Sequence, residues 1–185
     1  DMLDALGRES ADTSPTEKPE VPYSEDFNSL SAGLADIIDS NIGNKVYTRK
    51  NLCDEPSIIF LTGATGFLGS FVLISILKRY PKASVINLLR AKDTEKAMDR
   101  IISSLRRNPL CDEKWFSQSL PRIKVIKGDL FSERLGLGRD QWDELCRDVD
   151  VIVHNGAFVH WLYPYGKLRK PNTLSTVSII EMACM

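Results

Sequence analysis

No apolar run in this 185-residue chain approaches the ~20 residues that a membrane-spanning helix needs. The N-terminus has none of the basic, apolar and small-residue order of a signal peptide. Neither membrane nor export is therefore expected. Charge of one sign is also missing: 24 Lys and Arg face 25 Asp and Glu, which gives no electrostatic reason to expect a nucleic acid or an anionic surface as partner. The four cysteines, Cys53, Cys111, Cys146 and Cys184, form no C-x-x-C pair. They read as reduced thiols of a cytoplasmic protein rather than a disulfide framework or a zinc site. The two histidines, His154 and His160, have no cysteine or carboxylate at ligand spacing, so no metal is expected. There is no internal repeat. The chain starts at Asp1 and stops in mid-pattern at Cys184-Met185, as a piece of a longer protein would.

What is present is organised around one stretch, Ser57-Ile-Ile-Phe-Leu-Thr-Gly-Ala-Thr-Gly-Phe-Leu-Gly69. Ile58 to Leu61 is short, apolar and rich in β-branched and aromatic residues, as a buried parallel strand is. The pattern breaks at Thr62-Gly63, and the segment from Phe67 to Tyr80 is long and apolar enough for a buried helix. Gly63, Gly66 and Gly69 fit G-x-x-G-x-x-G, a variant of the dinucleotide fingerprint. Such glycines serve a tight turn, close backbone approach to a pyrophosphate, and close packing of helix on strand. The helix N-terminus then offers free N–H groups and the positive end of its dipole to phosphate.

Strand and helix patterns alternate from there on, which predicts βαβ units and a Rossmann-type doubly wound parallel sheet with helices on both faces. Strands are expected at 57–62, 84–90, 122–128 and 150–154. Helices are expected at 67–80, at 93–107 with Asp93 or Thr94 as N-cap and Ala97, Met98, Ile101, Ile102 and Leu105 inward, at 139–147, and from about Pro171 onward. Residues 108–121 read as a polar excursion with one helical turn near 113–118, and 135–138 as a loop. Ile58, Phe60, Phe71 and Leu77 are expected in the core. Ahead of the sheet, 1–7 could end a helix, and 8–22 is polar and proline-bearing like a linker. Within 23–56 one helix is expected at 30–42, with Leu34, Ile37 and Ile38 on its apolar face. The expected division is 1–22 as linker, 23–56 as a helical or irregular lead-in, and 57–185 as the incomplete, four-stranded sheet domain.

Right-handed crossovers bring the glycine turn, Arg90, Asp129 and Asn155 to the carboxyl ends of the strands. A site for NAD wants a carboxylate at the tip of the second strand, to hold the ribose 2′-hydroxyl. This strand ends Asn87-Leu-Leu-Arg90, and a guanidinium suits a 2′-phosphate instead. Arg90 thus points to NADP, against the alternative of a solvated arginine; Arg100, two turns into the next helix, can reach the same phosphate. Asp129 with Leu130 can meet an adenine, or Asp129 can cap a helix. Asn155-Gly156-Ala157 ends the fourth strand with small residues that let backbone pass close to the nicotinamide ribose. Tyr163 and Lys167 have the spacing of a catalytic Tyr-x-x-x-Lys pair, but Pro164 opposes the helical turn that the pair needs.

With these blocks in place the chain resembles the extended short-chain dehydrogenase/reductases. More narrowly, it resembles the thioester reductase domains of α-aminoadipate reductases, carboxylic acid reductases and some nonribosomal peptide synthetases. Leu61 to Ser70, Leu89 to Asp93, Gly128 to Leu130 and His154 to Asn172 carry the likeness, which covers about 57–185. It implies that Thr62, Gly63, Thr65, Gly66, Phe67 and Leu68 hold a pyrophosphate, Arg90 and Arg100 a 2′-phosphate, and Asp129 and Leu130 an adenine. Asn155, Gly156 and Ala157 would meet the ribose and nicotinamide, and Asn172 would support a proton relay. It further implies NADPH as cofactor and, as partner, a phosphopantetheinylated carrier domain whose acyl thioester is released as an aldehyde. The family's catalytic Ser/Thr, Tyr and Lys would lie beyond Met185. Two other readings stand beside it: an extended short-chain dehydrogenase or epimerase with another substrate, and an NADP-binding sensor or scaffold without catalysis.

Overall fold

The computed structural model describes residues 22–42 and 55–185. Tyr23–Asn41 forms helix α1, and from Ser57 onward strands and helices alternate. Ile58–Thr62 (β1), Ser84–Leu89 (β2), Ile123–Lys127 (β3) and Val151–His154 (β4) make one parallel sheet in the order β3-β2-β1-β4. Ile59 sits opposite Val85 on one side and Val151 on the other. The strands are linked through Phe67–Arg79 (α2), Thr94–Arg106 (α3), Glu113–Ser119 (α4) and Arg139–Asp148 (α5). After β4 come Tyr165–Leu168 (α6), a π-helical segment Arg169–Leu174, and Ser175–Cys184 (α7).

Alternation along β1 explains why both faces are covered. Ile59 and Leu61 turn to one side, where Leu73 and Leu77 of α2 and Ile101 and Leu105 of α3 close over them. Phe60 turns to the other, against Trp142 and Leu145 of α5 and Ile179 and Met182 of α7. A parallel sheet needs such cover because its crossovers lay helices on both faces. The expected fold class is borne out. At the sheet's amino end, Arg122 donates to the carbonyls of Leu77, Tyr80 and Ala83. It thereby ties the end of α2 to the start of β2.

Several boundaries differ from the sequence expectation. The first helix begins at Tyr23, not near Leu30, because Asp26 in its opening turns is buried by partners from far along the chain. Ile38, expected on its apolar face, is 40% exposed. The turn near 113–118 is a full helix capped by Asp112, whose carboxylate accepts from Trp115 N–H. The expected loop at 135–138 holds for Leu137 and Gly138, but Leu135 and Gly136 belong to a 3-10 turn, Glu133–Gly136, in which Leu135 is fully buried at a positive φ of 59°. The last helix begins at Tyr165 rather than near Pro171. Pro171 lies inside it, buried within the π-helical segment Arg169–Leu174. Ile58 and Phe71 are half-buried, whereas Phe60 and Leu77 are fully enclosed. Asp93 does cap its helix, accepting from Lys96 N–H at 2.7 Å. The expectations for 1–21 and 43–54, Cys53 among them, lie outside the described residues.

Candidate functional site

The strand order puts the reversal of sheet direction between β1 and β4, and the carboxyl ends of those strands frame a crevice there. The glycine turn forms its floor. Gly63 has φ 74°, and a Cβ on it would lie 2.7 Å from Gly156 N and 2.8 Å from the Asn155 carbonyl oxygen. A Cβ on Gly69 would lie 1.9 Å from the Gly63 carbonyl oxygen, so α2 can sit on the turn only without a side chain there. Gly66 differs from both. Its φ is −72°, open to any residue, and the one atom a Cβ would meet within 4 Å is the Gly63 oxygen, at an ordinary 3.4 Å. Nothing in the protein fills the space that its missing side chain leaves.

Gly66 is also the N-cap of α2, which has no side-chain cap and no acid in its first turn. The first bond into the helix runs from Ser70 N–H to the Gly66 carbonyl, and the Gly66 N–H is itself held by the Gly63 carbonyl at 3.1 Å, which leaves the N–H groups of Phe67, Leu68 and Gly69 for an anion. Around them opens a cleft of about 460 Å³. Thr62, Gly63, Thr65, Gly66, Phe67 and Leu68 line one wall. Arg90, Arg100, Asp129 and Leu130 line the second, and Asn155, Gly156 and Ala157 the third, joined by Phe131, Phe158 and Val159. Residues far apart in sequence, Thr62 and Ala157 for example, 95 positions apart, thus line one cleft.

Local bonds fix the second wall. The Arg100 guanidinium donates to the Arg90 carbonyl at 2.6 Å, and the Arg90 guanidinium lies 6.0 Å from the Phe131 ring centroid. Asp129 caps no helix; its Oδ1 accepts from Phe131 N–H at 3.1 Å in an Asx turn. Asn172 stands behind the cleft rather than in it. Its side chain accepts from Phe158 N–H at 2.8 Å and donates to the Phe158 carbonyl at 3.0 Å, pinning the segment that follows β4. Tyr163 lies outside the helix that begins at Tyr165, its ring stacked on His160 with centroids 3.6 Å apart.

Two features went unread in the sequence. Thr62 Oγ1 lies 2.7 Å from Nδ1 of His154, whose Nε2 lies 3.3 Å from Ser175 Oγ, and burial pushes the imidazole below its ordinary pKa of 6.5. Separately, Asp26 is held by Arg169 through two bonds of 2.6 Å and by the Tyr165 hydroxyl. These bonds keep the Asp26 carboxyl below its ordinary range, and burial, with Asp26 alongside, pushes the Tyr165 phenol up. No short motif signals either cluster, since each joins elements far apart in the chain.

The chain is 37% identical over 171 residues to L-2-aminoadipate reductase of Schizosaccharomyces pombe, covering 92% of this chain but 11% of that protein. It is 43% identical over 123 residues to a linear gramicidin synthase of Brevibacillus parabrevis, covering 66% of this chain and 2% of that one. Among solved structures, the terminal R domain from the myxalamid PKS-NRPS biosynthetic pathway superposes with a TM-score of 0.65 at 31% identity, over 84% of this chain and 39% of that domain. The chain therefore spans only a part of each relative. The resemblance to reductase domains drawn from the four sequence blocks is borne out. Residues 61–185, which include the residues that line the cleft, match a NAD-binding family described as male sterility protein, and this chain belongs to that family.

Proposed function

We propose that the chain is the NADPH-holding part of a reductase that releases a carrier-bound acyl thioester as an aldehyde. One observation carries the cofactor reading: Gly66 leaves unfilled space directly at the uncapped N-terminus of α2. Backbone N–H groups and a helix dipole there can hold a pyrophosphate that approaches where a Cβ would otherwise stand. The Arg90 guanidinium, on an adjacent wall with no acid at the β2 tip, would take a 2′-phosphate, with Arg100 beside it. Asp129 Oδ2 is free to accept from an adenine amino group while Oδ1 holds its turn. Asn155, Gly156 and Ala157 would face the ribose and nicotinamide. Asn172 would keep that segment in place from behind through Phe158, and its support of a proton relay belongs to this proposal. When bound, the cofactor would supply hydride; these residues bind and orient it.

The acyl substrate and the carrier partner follow from the relatives, which are an aminoadipate reductase, a gramicidin synthase and the R domain of a PKS-NRPS pathway. Residues 57–185 would form the cofactor-binding part, and 1–56 would lead into it from a preceding carrier domain. A cytoplasmic location accords with free thiols at Cys111, Cys146 and Cys184. Among the described residues, no helix is long and apolar enough to cross a membrane.

Gly66→Val tests the cofactor reading. The φ of −72° suits valine, and its Cβ would meet only one protein atom within 4 Å, at 3.4 Å, so the protein should melt close to wild type without ligand. At about a hundredfold excess over Kd, NADPH should raise the wild-type midpoint by about 5–10 °C and leave the variant unmoved. A variant that shifts fully with NADPH would show that the turn is only structural.

A further inference from the structure

The hydrogen-bond directions around His154 can be assigned one at a time. Ser175 Oγ lies 2.6 Å from the Pro171 carbonyl and 3.4 Å from that of Asn172, and a carbonyl only accepts. The Ser175 hydrogen is therefore spent on a carbonyl, and at His154 its oxygen must accept. That places a hydrogen on Nε2 and, in the neutral ring, a lone pair on Nδ1. The Thr62 hydroxyl then donates to Nδ1 at 2.7 Å, which frees its oxygen to accept from Gly156 N–H at 2.8 Å. Along the relay Gly156, Thr62, His154, Ser175, Pro171, each group donates to the next, so all the bonds run in one direction. Thr62 and Ser175 are 0% and 1% exposed, so water does not compete for them.

We propose that His154, in its Nε2–H tautomer, is a positioning residue of the cofactor cleft. It fixes the Thr62 hydroxyl, and through it the Gly156 N–H, so that the turns ending β1 and β4 keep one spacing. The role rests on the cofactor reading above, because those two turns supply Gly63, Asn155 and Gly156 to the cleft. Ser175 is the far anchor, tying the arrangement to α7 and the π-helical segment behind it.

Protonation is the natural disturbance. A second hydrogen, on Nδ1, obliges Thr62 to accept there and strands its own hydroxyl hydrogen in a buried site. The neutral ring is the competent form, and burial alone lowers its pKa below 6.5. The arrangement is thus complete at pH 7 and lost as pH falls through that lowered value. The ionisable groups on the packed elements are occupied or face elsewhere. Asp150, before β4, accepts from Ser57 and Ile58 N–H at the other end of the strand. Arg169 is paired with Asp26, Lys170 and Glu181 line a separate cavity with Arg134, and Cys184 lies at the far end of α7.

The test is direct, because the protein contains only two histidines. In protein labelled with [15N]histidine, the imidazole nitrogens of His154, identified by their loss in His154→Asn, should report the neutral Nε2–H tautomer at pH 7 without any ligand. Ser175→Ala should mix the tautomers and weaken NADP+ binding by calorimetry about fivefold, the scale of one neutral hydrogen bond. His154→Asn keeps an acceptor near the Nδ1 position and cannot titrate. The ratio of wild-type to His154→Asn affinity should therefore fall as pH drops from about 8 to about 5, and the titration of the 2′-phosphate, common to both, cancels. An Nδ1–H tautomer in the wild type, or a ratio that stays flat with pH, overturns the proposal. Equal affinity in Ser175→Ala and wild type overturns the positioning role alone. A wild-type protein that binds no NADP+ at pH 7 overturns the cofactor reading itself, whatever the tautomer.

Discussion

A guanidinium at the tip of β2 can discriminate between cofactors only if it is free to reach out, and Arg90 is. Its side chain is exposed beside the Phe131 ring, while its backbone carbonyl is held by Arg100 at 2.6 Å. The backbone is fixed and the head is not. Arg90→Ala should weaken NADPH binding by about 1.5–3 kcal/mol, the range for a hydrogen bond to a charged group, and leave NADH binding nearly unchanged. Titration with both cofactors decides it, since equal losses would show that Arg90 acts on the cleft as a whole. Residues of this kind could be placed from the sequence because their positions depend on a βα turn rather than on distant partners. Gly63, Gly69 and Arg90 needed only a strand before them and a helix after them. Ser175 could not be read that way: its partner His154 is 21 positions back, and only the helix passing behind β4 joins them.

Among elements, the one the sequence placed least well is α1, and the reason is chemical. Its opening turns contain the polar residues Ser24, Glu25 and Asp26, which carry no apolar periodicity. Asp26 is instead 4% exposed, gripped by Arg169 and Tyr165, and Tyr23 stands edge-on to Tyr165 at 5.3 Å. An aspartate reads as polar whether it meets water or a buried arginine, so periodicity alone set the helix start too late. The same cluster explains why the last helix starts early, at Tyr165, and passes through Pro171 as a π-helical segment. Asp26→Ala should strand the Arg169 guanidinium and release α1 locally. Amide exchange within α1 should speed up about a hundredfold, while β1 exchanges as before. The pH dependence has a definite sign. The Asp26 carboxyl is held below 3.8, so the contact is present above that value and lost only as pH falls through the lowered one. Exchange that accelerates equally in α1 and β1 would show that the cluster supports the whole fold rather than one helix.

Taken whole, the molecule presents the cleft proposed to hold the cofactor, with no proton donor poised beside it among the described residues. Delivery of hydride to a thioester carbonyl leaves a developing alkoxide that needs a proton from a group within hydrogen-bond reach. The candidates near the third wall can be judged in turn. His154 has both ring nitrogens committed, to Thr62 and Ser175. Tyr163 is stacked flat on His160 and lies outside the helix that carries Lys167. Tyr165 is on the helix, but its hydroxyl is spent on Asp26 and its phenol is pushed up rather than down. The 185-residue protein should accordingly bind NADPH and yet consume none of it when a simple acyl thioester is added, as followed by absorbance of the reduced nicotinamide. Binding and turnover are separable here because the cleft is built by β1, β2, β3 and β4 and their turns, whereas proton delivery needs a further group over the third wall. Turnover that disappears in Tyr163→Phe would show that the segment after β4 rearranges in the presence of substrate, and that its tyrosine is the acid.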